Sequence, residues 1–373
     1  MGVPWPVMTT HRIFNFSAGP AVLPEEVLLE ARDNLLSLGS SGIGILECSH
    51  RSKDFEAIIG EAEANLRKLL GIPSGYHVLF LSGGATTQFS MVPMNLLLPG
   101  TVGDYVLTGE WSKKALLEAQ RVGETHVAAT TEAEQFRRIP KNEELHCSDR
   151  SAYVHTTSNN TIWGTEWHHE PDAGGRPIVC DMSSDFLSRP VDVARYGLIF
   201  AGAQKNAGPA GVTVVIVRDD MLRLDKAAQA KLPVMMNYRT FVDQKSLYNT
   251  PPVFPIYIVH LVLRWLVRFG GLAKMASHNQ EKAQFIYDVI DDASGFYRGH
   301  ATRDSRSLMN ITFRLPSEAL EDKFAKEAKA AGMDGLKGHR SVGGIRASVY
   351  NAFPIAGAQA LANFMRDFAA RNG

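Results

Sequence analysis

Short apolar runs alternate with amphipathic stretches along the first two thirds of the chain. The runs are HVLFL at 77–81, DYVLT at 104–108, AYVHT at 152–156, PIVCD at 177–181, LIFAG at 198–202 and VTVVIV at 212–217. Such runs suit strands that are buried on both faces, and helical patterns at 55–70 and 112–122 accompany them. This β-α-β rhythm predicts an α/β fold with a mostly parallel sheet that helices cover on both sides.

The pattern differs before and after these runs. A first helix is predicted at 24–38, with a proline near its start and a glycine after its end. The proline-rich segment NTPPVFP at 249–255 is followed by two helices separated by Gly270-Gly271, the strand NITFRL at 310–315, a helix at 317–331, the segment GIRASVYN at 344–351 and a helix from 357. We therefore predict a large domain at 24–260 and a smaller α+β domain formed by 1–23 and 261–373.

Composition restricts the class of protein. The 373 residues are 45% hydrophobic and 21% charged, with 39 basic and 39 acidic side chains. This balance is typical of a soluble globular enzyme and gives no overall field that would attract nucleic acid.

Three widely spaced cysteines fit a reducing cytoplasm better than a disulfide framework. The most apolar stretch, 256–269, is too short and too charged to span a membrane, and no signal peptide is recognisable, so we expect a cytoplasmic enzyme with a buried helix here.

One lysine lies in a loop of small residues between the last two apolar runs. Lys205 stands in the segment AGAQKNAGPAG, whereas a surface lysine usually lies among polar neighbours on a helix. A lysine at the end of a strand among glycine, alanine and proline can be desolvated and can act as an amine nucleophile. Lys205 is therefore a candidate catalytic residue.

Other candidates follow the ends of neighbouring runs. Asp181 ends a buried run, where its carboxylate needs a cationic partner such as a protonated pyridine nitrogen, although a helix-capping aspartate is the alternative. The segment SGGATTQF places Ala85, Thr86 and Thr87 at the start of a helix, which could hold a cofactor phosphate. Trp111 is placed either to stack on a flat ring or to pack in the core.

Ten segments, taken in order over about residues 13–365, resemble the phosphoserine aminotransferases. They are NFSAGPAVLP, SHRSKDF, SGGATTQF, GEW, SNNTIWG, CDMSSDFLSRP, AGAQKNAGPAG, NTPPVFPIY, GHRSVGGIRAS and YNAFP. The resemblance implies a fold type I enzyme with a seven-stranded sheet in its large domain. It also implies pyridoxal 5′-phosphate as the cofactor and a homodimer whose active sites are shared between the two chains.

The resemblance further implies roles for single residues. Lys205 would be the Schiff-base lysine, Asp181 would contact the pyridine nitrogen, and Trp111 would stack on the ring. The other cofactor positions would be Thr161 at the ring oxygen, Ala85, Thr86 and Gln204 at the phosphate, and Asn249 and Thr250 reaching the phosphate from the second subunit. The substrate positions would be His50, Arg51, His339, Arg340 and Arg346. Two positions depart from some family members, because Thr86 stands where others carry arginine or serine and Asn160 replaces a glutamate.

The implied reaction exchanges an amino group between glutamate and 3-phosphohydroxypyruvate, with phosphoserine and 2-oxoglutarate as products, in serine biosynthesis. Guanidinium groups suit these substrates, since phosphoserine carries both a carboxylate and a phosphate. By the resemblance, Arg346 would take the carboxylate and the two His-Arg pairs would take the phosphate. The sequence leaves open whether phosphohydroxythreonine, a precursor of vitamin B6, is also a substrate.

Three other functions are alternatives on the sequence. An alanine–glyoxylate or serine–pyruvate aminotransferase would share the lysine and the aspartate. Its substrate carries no phosphate, so it would not need the two His-Arg pairs. A cofactor-binding module without turnover is the second. Metal-dependent hydrolysis through His168, His169, Glu170 and Asp172 is the third, and it is disfavoured because adjacent histidines in a loop point apart. We therefore predict no metal site.

Overall fold

The computed structural model of the chain describes residues 12–222, 226–229 and 231–373, so residues 1–11 of the predicted small domain lie outside the described part. The strands are β1 (Phe14–Asn15), β2 (Tyr76–Leu81), β3 (Val102–Leu107), β4 (Thr125–Thr130), β5 (Ser151–Thr157), β6 (Asn159–Asn160), β7 (Thr165–Glu166), β8 (Ile178–Asp181), β9 (Tyr196–Gly202), β10 (Thr213–Arg218), β11 (Arg298–Gly299), β12 (Asn310–Arg314), β13 (Met333–Asp334) and β14 (Ile345–Ser348). The helices are α1 (Glu25–Asp33), α2 (Lys53–Leu70), α3 (Gly84–Leu96), α4 (Glu110–Ala119), α5 (Lys226–Gln229), α6 (Tyr238–Asp243), α7 (Val253–Phe269), α8 (Gly271–Asp292), α9 (Glu318–Ala330) and α10 (Ile355–Asn372).

Seven strands form the main sheet in the order β2-β10-β9-β8-β5-β3-β4. Strand β10 runs antiparallel to both neighbours, and the other pairs are parallel. The predicted α/β fold with a mostly parallel seven-stranded sheet is therefore confirmed. All six apolar runs are strands of this sheet. The seventh, β4, has no apolar run because it is an edge strand whose side chains are largely exposed or half-buried.

Alternate residues of the strands enter two separate cores, one on each face of the sheet. In β10, Val214 and Ile216 face the core that contains helices α2 and α7, whereas Val215 and Val217 face the core that contains α3 and α4. Helix α7 is buried along most of its length, which confirms the buried helix predicted at 256–269. Within the described residues no single helix is long and apolar enough to span a membrane, although α7 and α8, bent by 85° at Gly270, pass that test of length and composition when taken together.

A third core lies in the C-terminal part of the chain and contains residues of α8, α9, α10, β12 and β14. Phe16 belongs to it, and β1 pairs in parallel with β13. The core under α7 continues to Met275, beyond the expected boundary at residue 260. The division into two domains stays a prediction.

The parallel strands place their carboxyl ends at one edge of the main sheet, where α/β proteins bind ligands. The segments that leave this edge begin at Ser82 after β2, at Thr108 after β3, at Ser158 after β5, at Met182 after β8 and at Ala203 after β9. Asp181 is the last residue of β8, and the other strand-end candidates of the sequence lie in these segments.

Candidate active site

A cavity of about 300 Å³ lies at the carboxyl edge of the sheet. Among its lining residues are the predicted site residues Ala85, Thr86, Trp111, Thr161, Asp181, Gln204, Lys205, His339 and Arg346. A larger cavity of about 680 Å³, between α2, the edge strand β2 and residues 242–247, is lined by none of the predicted site residues. The chemistry predicted from the sequence therefore converges on the smaller cavity.

Lys205 lies in the turn that joins β9 to the antiparallel strand β10. Its Nζ donates hydrogen bonds to Thr161 Oγ1 at 2.8 Å and to Ser184 Oγ at 3.3 Å. Burial lowers the pKa of the Lys205 amine to about 8; the charge of Asp181 opposes this shift and that of Arg346 adds to it. An amine with this pKa is partly neutral near physiological pH, as a nucleophile must be.

Asp181 is the last residue of β8, beside Thr157 of β5. Its Oδ1 accepts a hydrogen bond from the backbone N–H of Ser183 at 2.9 Å, and burial raises the pKa of its carboxyl group. Among the described residues it has no ion-pair partner within 4 Å, and the buried Thr157 Oγ1 has no hydrogen-bond partner there. A cationic ring nitrogen placed in the cavity would supply the missing partner.

The start of helix α3 forms one wall of the cavity. Gly83 precedes the helix with φ of 98°, and a Cβ atom at this position would lie 2.3 Å from Thr87 Oγ1. No side chain caps the first turn of α3, so its backbone N–H groups are left for an anion. Ala85 and Thr86 line the cavity at this wall, which fits a phosphate group, and their contact with the cofactor phosphate stays a prediction.

Trp111 lies in the first turn of α4. The centroid of its ring is 6.0 Å from Lys205 Nζ, and its buried Nε1 has no hydrogen-bond partner in the described part of the chain. Thr161 Oγ1 contacts Ser184 Oγ at 2.9 Å in addition to Lys205. An aromatic face, a hydroxyl pair, a buried carboxylate and an amine thus surround one space, which fits the flat ring of pyridoxal phosphate.

Two of the predicted substrate residues line the same cavity. Arg346 is on β14, its Nη1 donates to the backbone carbonyl of Thr161 at 3.4 Å, and its buried Nε has no partner among the described residues. Burial lowers the pKa of the Arg346 guanidinium. His339 lies in the loop before β14, with Nδ1 2.7 Å from Ser341 Oγ. Arg346 therefore has donors left for an anionic ligand.

The remaining predicted residues lie outside the cavity lining. They are His50 and Arg51 before α2, Asn249 and Thr250 before α7, and Arg340 beside His339. The side chains of Arg51, Thr250 and Arg340 are exposed, and those of His50 and Asn249 are half-buried. One chain by itself does not bring these side chains to the cavity, and their roles stay predictions.

Sequence reasoning missed several residues that build the site. Ser184 bonds to both Lys205 and Thr161, and its only signal was the pair of serines that follows Asp181. Gly19 has φ of 134°, and a Cβ atom there would lie 3.3 Å from Lys205 Cγ. The segment that contains Gly19 contributes to the family resemblance. Its close approach to the catalytic lysine, however, depends on the fold and could not be predicted from the sequence.

A buried lysine connects three segments of the site. Lys282 on α8 is fully buried, and its Nζ donates to the carbonyl of Tyr350 at 2.6 Å and to that of Asn351 at 3.3 Å. The Tyr350 hydroxyl donates to the carbonyl of Ala18 at 2.8 Å, and the Asn351 N–H donates to Asn206 Oδ1 at 2.9 Å. The segment after β14 thus holds both the loop at residue 18 and the neighbour of the catalytic lysine.

The residues considered for metal hydrolysis are used differently. His168 Nε2 lies 2.7 Å from the backbone carbonyl of Arg306, to which it can donate a hydrogen bond. In the described parts of the chain, no group of three or more His, Cys, Asp or Glu side chains is arranged to hold a metal ion.

The chain is similar to known aminotransferases over nearly its whole length. The family model described as Aminotransferase class-V matches residues 13–361. The phosphoserine aminotransferase of Herpetosiphon aurantiacus is 55% identical, over 97% of this chain and 99% of that protein. The solved phosphoserine aminotransferase from Bacillus circulans subsp. alkalophilus has a TM-score of 0.95 and 51% identity, over 98% of this chain and all of that one. The PLP-bound phosphoserine aminotransferase from Trichomonas vaginalis has a TM-score of 0.90 and 38% identity, over 95% of this chain and 100% of that one.

The fold and the cavity define a fold type I aminotransferase that depends on pyridoxal phosphate. The chain belongs to the class-V aminotransferases and, among these, to the phosphoserine aminotransferases. The resemblance, the fold class, the transaminase activity and the cofactor predicted from the sequence are confirmed.

Proposed function

We propose that this transaminase exchanges an amino group between glutamate and 3-phosphohydroxypyruvate, forming O-phosphoserine and 2-oxoglutarate in serine biosynthesis. The proposal rests chiefly on one observation, the placement of Arg346 with unused donors in the same cavity as Lys205 and Asp181. The relatives named phosphoserine aminotransferase support it independently.

The cofactor would be held from four sides. Asp181 would pair with the ring nitrogen, Trp111 would stack on the ring, and Thr161 would bond to the ring oxygen. The phosphate would be bound by Ala85 and Thr86 at the start of α3 and by Gln204, together with Asn249 and Thr250 of the second chain. When bound, pyridoxal phosphate supplies an electron sink for the charge that develops at the substrate's α-carbon.

Lys205 would be the base that takes the proton from the substrate's α-carbon. With the cofactor and substrate bound, its amine would remove this proton and hold it until it is returned. A pKa near 8 suits both steps, since Nζ can accept and donate a proton close to neutral pH. Thr161 and Ser184, which accept hydrogen bonds from Nζ, would orient it.

The substrate's two anions would be bound by separate clamps. Arg346, which is half-buried beside the cavity, would hold the α-carboxylate. His339 and Arg340 of the same chain and His50 and Arg51 of the second chain would hold the phosphate. Phosphohydroxythreonine carries the same two anions, so we propose it as a second substrate, in the synthesis of vitamin B6.

A homodimer is proposed because large apolar side chains are exposed beside residues expected to reach a neighbouring site. Leu36 is 89% exposed and Leu46 is 64% exposed, shortly before His50; Tyr248 is 46% exposed, next to Asn249. Exposed apolar groups of this kind mark protein–protein contact surfaces. The three cysteines are unpaired, which supports a cytoplasmic location.

The substrate assignment is tested by steady-state assays of phosphoserine, phosphohydroxythreonine, serine and alanine, each with 2-oxoglutarate. We expect both phosphorylated substrates to have the higher kcat/KM, because only they engage the phosphate clamp. A preference for alanine or serine would replace the proposal by the alanine–glyoxylate or serine–pyruvate alternative. Binding of phosphoserine without any turnover would favour a module that binds the cofactor without catalysis.

The pKa of Lys205 gives a pH dependence for cofactor attachment. The neutral amine is the nucleophile, so the rate at which apoprotein binds pyridoxal phosphate covalently should rise with pH and level off above about 8. Asp181→Asn should shift the midpoint to lower pH, because the Asp181 charge raises the pKa of Lys205. The rate is followed by cofactor absorbance after mixing. A midpoint near 10.5, the ordinary lysine value, would contradict the desolvated environment.

Sharing of the active sites can be tested by mixing inactive variants. Lys205→Ala chains mixed with Asn249→Ala/Thr250→Ala chains should regain activity after subunit exchange, because each mixed dimer would contain one intact site. A mixture of Lys205→Ala and Asp181→Asn chains is the matched control, since both residues serve the site of their own chain. Recovery in neither mixture, despite exchange, would argue against shared sites.

A further inference from the structure

Two adjacent lysines on α4 have different surroundings. Lys113 Nζ forms an ion pair with Glu132 Oε1 at 2.8 Å. Lys114 is exposed, has no ion-pair partner within 4 Å among the described residues, and places its Nζ 4.5 Å from the centroid of the Trp111 ring. Trp111 lines the active-site cavity, so the Lys114 ammonium group contacts one of the residues that form the cavity wall.

The same ammonium group lies close enough to His339 to affect it. The pKa of His339 is lowered by burial and by the positive charges of Arg346, Arg340 and Lys114, and the carboxylate of Glu110 opposes this shift. His339 lines the cavity on the side of the proposed phosphate clamp. Lys114 therefore adds to a group of cations that repel one another until an anion binds between them.

The phosphate needs such a cation from this chain. Arg346 is assigned to the carboxylate, and the lowered pKa of His339 disfavours its cationic form. Besides Arg340 and Arg346, Lys114 is the permanent cation of the described residues whose charge acts on His339, and its ammonium group has no ion-pair partner among those residues.

We propose that Lys114 is a specificity-determining residue that contacts the phosphate of the substrate. The inference rests on the proposed function, because it requires a phosphorylated substrate. Before binding, the ammonium group rests on the face of Trp111 through a cation–π contact. On binding, it moves to the phosphate, which is the stronger partner because both groups carry full charges.

The experiment compares Lys114→Met with Lys113→Met in the holoenzyme, using phosphoserine and serine as alternative amino donors. Lys114→Met should lower kcat/KM for phosphoserine by about tenfold, mainly through KM, as expected for the loss of one charge-assisted hydrogen bond. The loss should shrink in high salt, and Lys114→Arg should restore most of the activity. Lys113→Met should behave like wild type, because Lys113 is engaged by Glu132.

Two outcomes would overturn the role of Lys114. An equal loss with serine, together with a changed cofactor absorbance spectrum, would mean that Lys114 only holds Trp111 in place. Unchanged phosphoserine kinetics in Lys114→Met would mean that the ammonium group does not contact the substrate. Failure of the proposed function looks different, since wild-type enzyme would then show no preference for phosphoserine over serine.

Discussion

Lys205→Ala is expected to abolish the covalent link to pyridoxal phosphate and to lower kcat by at least the roughly 10²- to 10⁴-fold that a positioned general base contributes. The alanine side chain can neither bond to the cofactor nor move the α-proton. The wall at α3 and the carboxylate of Asp181 remain in place, so the variant should still bind the cofactor noncovalently. Absorbance spectra and single-turnover rates measure the two losses separately.

The assignment of the attached lysine can be checked directly in the wild-type enzyme. Borohydride reduction followed by peptide mapping should label Lys205. The competing buried amine is Lys282, whose pKa is also lowered by burial, but its Nζ is held by the carbonyls of Tyr350 and Asn351. Label on Lys282 or on any other lysine would refute the site, whereas Lys113→Ala should leave the labelling unchanged.

The sequence predicted the central sheet well because its strands are buried on both faces. The runs at 77–81 and 212–217 lie in β2 and β10 almost residue for residue. Strand β4 was missed since an edge strand does not need a continuous apolar run. The first helix ends at Asp33 rather than at about residue 38, because the chain turns after Asn34 and leaves Leu35 and Leu36 exposed while Leu38 packs against the core.

Site residues were predictable where the chain itself carries the signal. Asp181 ends one apolar run and Lys205 lies three residues after another, and the carboxyl ends of parallel strands meet at one edge of the sheet, which brings the two residues together. Ser184, Lys282 and Lys114 could not be found in this way. Their contacts join segments that are far apart in the chain, or depend on which of two adjacent lysines is free.

Replacing Arg346, proposed to bind the carboxylate, and replacing Arg340, proposed to bind the phosphate, should change kcat/KM for phosphoserine and serine differently. Removing one partner of a desolvated charge pair costs about 2 to 5 kcal/mol, which corresponds to roughly two to three orders of magnitude in kcat/KM. Arg346→Leu should impair phosphoserine and serine by similar factors, because both present the same α-carboxylate to the half-buried guanidinium. Arg346 lines the cavity beside Thr161, where its guanidinium can meet the carboxylate of either substrate.

Arg340→Leu should instead lower kcat/KM for phosphoserine by roughly two to three orders of magnitude. Activity with serine should change little, since serine has no phosphate. Arg340 is exposed in this chain, so the full loss also requires that a second chain encloses the clamp and excludes water from it. Steady-state kinetics of both variants with both substrates measure this difference. Equal losses with both substrates in Arg340→Leu would place Arg340 at the carboxylate, and a loss confined to phosphoserine in Arg346→Leu would exchange the roles of the two arginines.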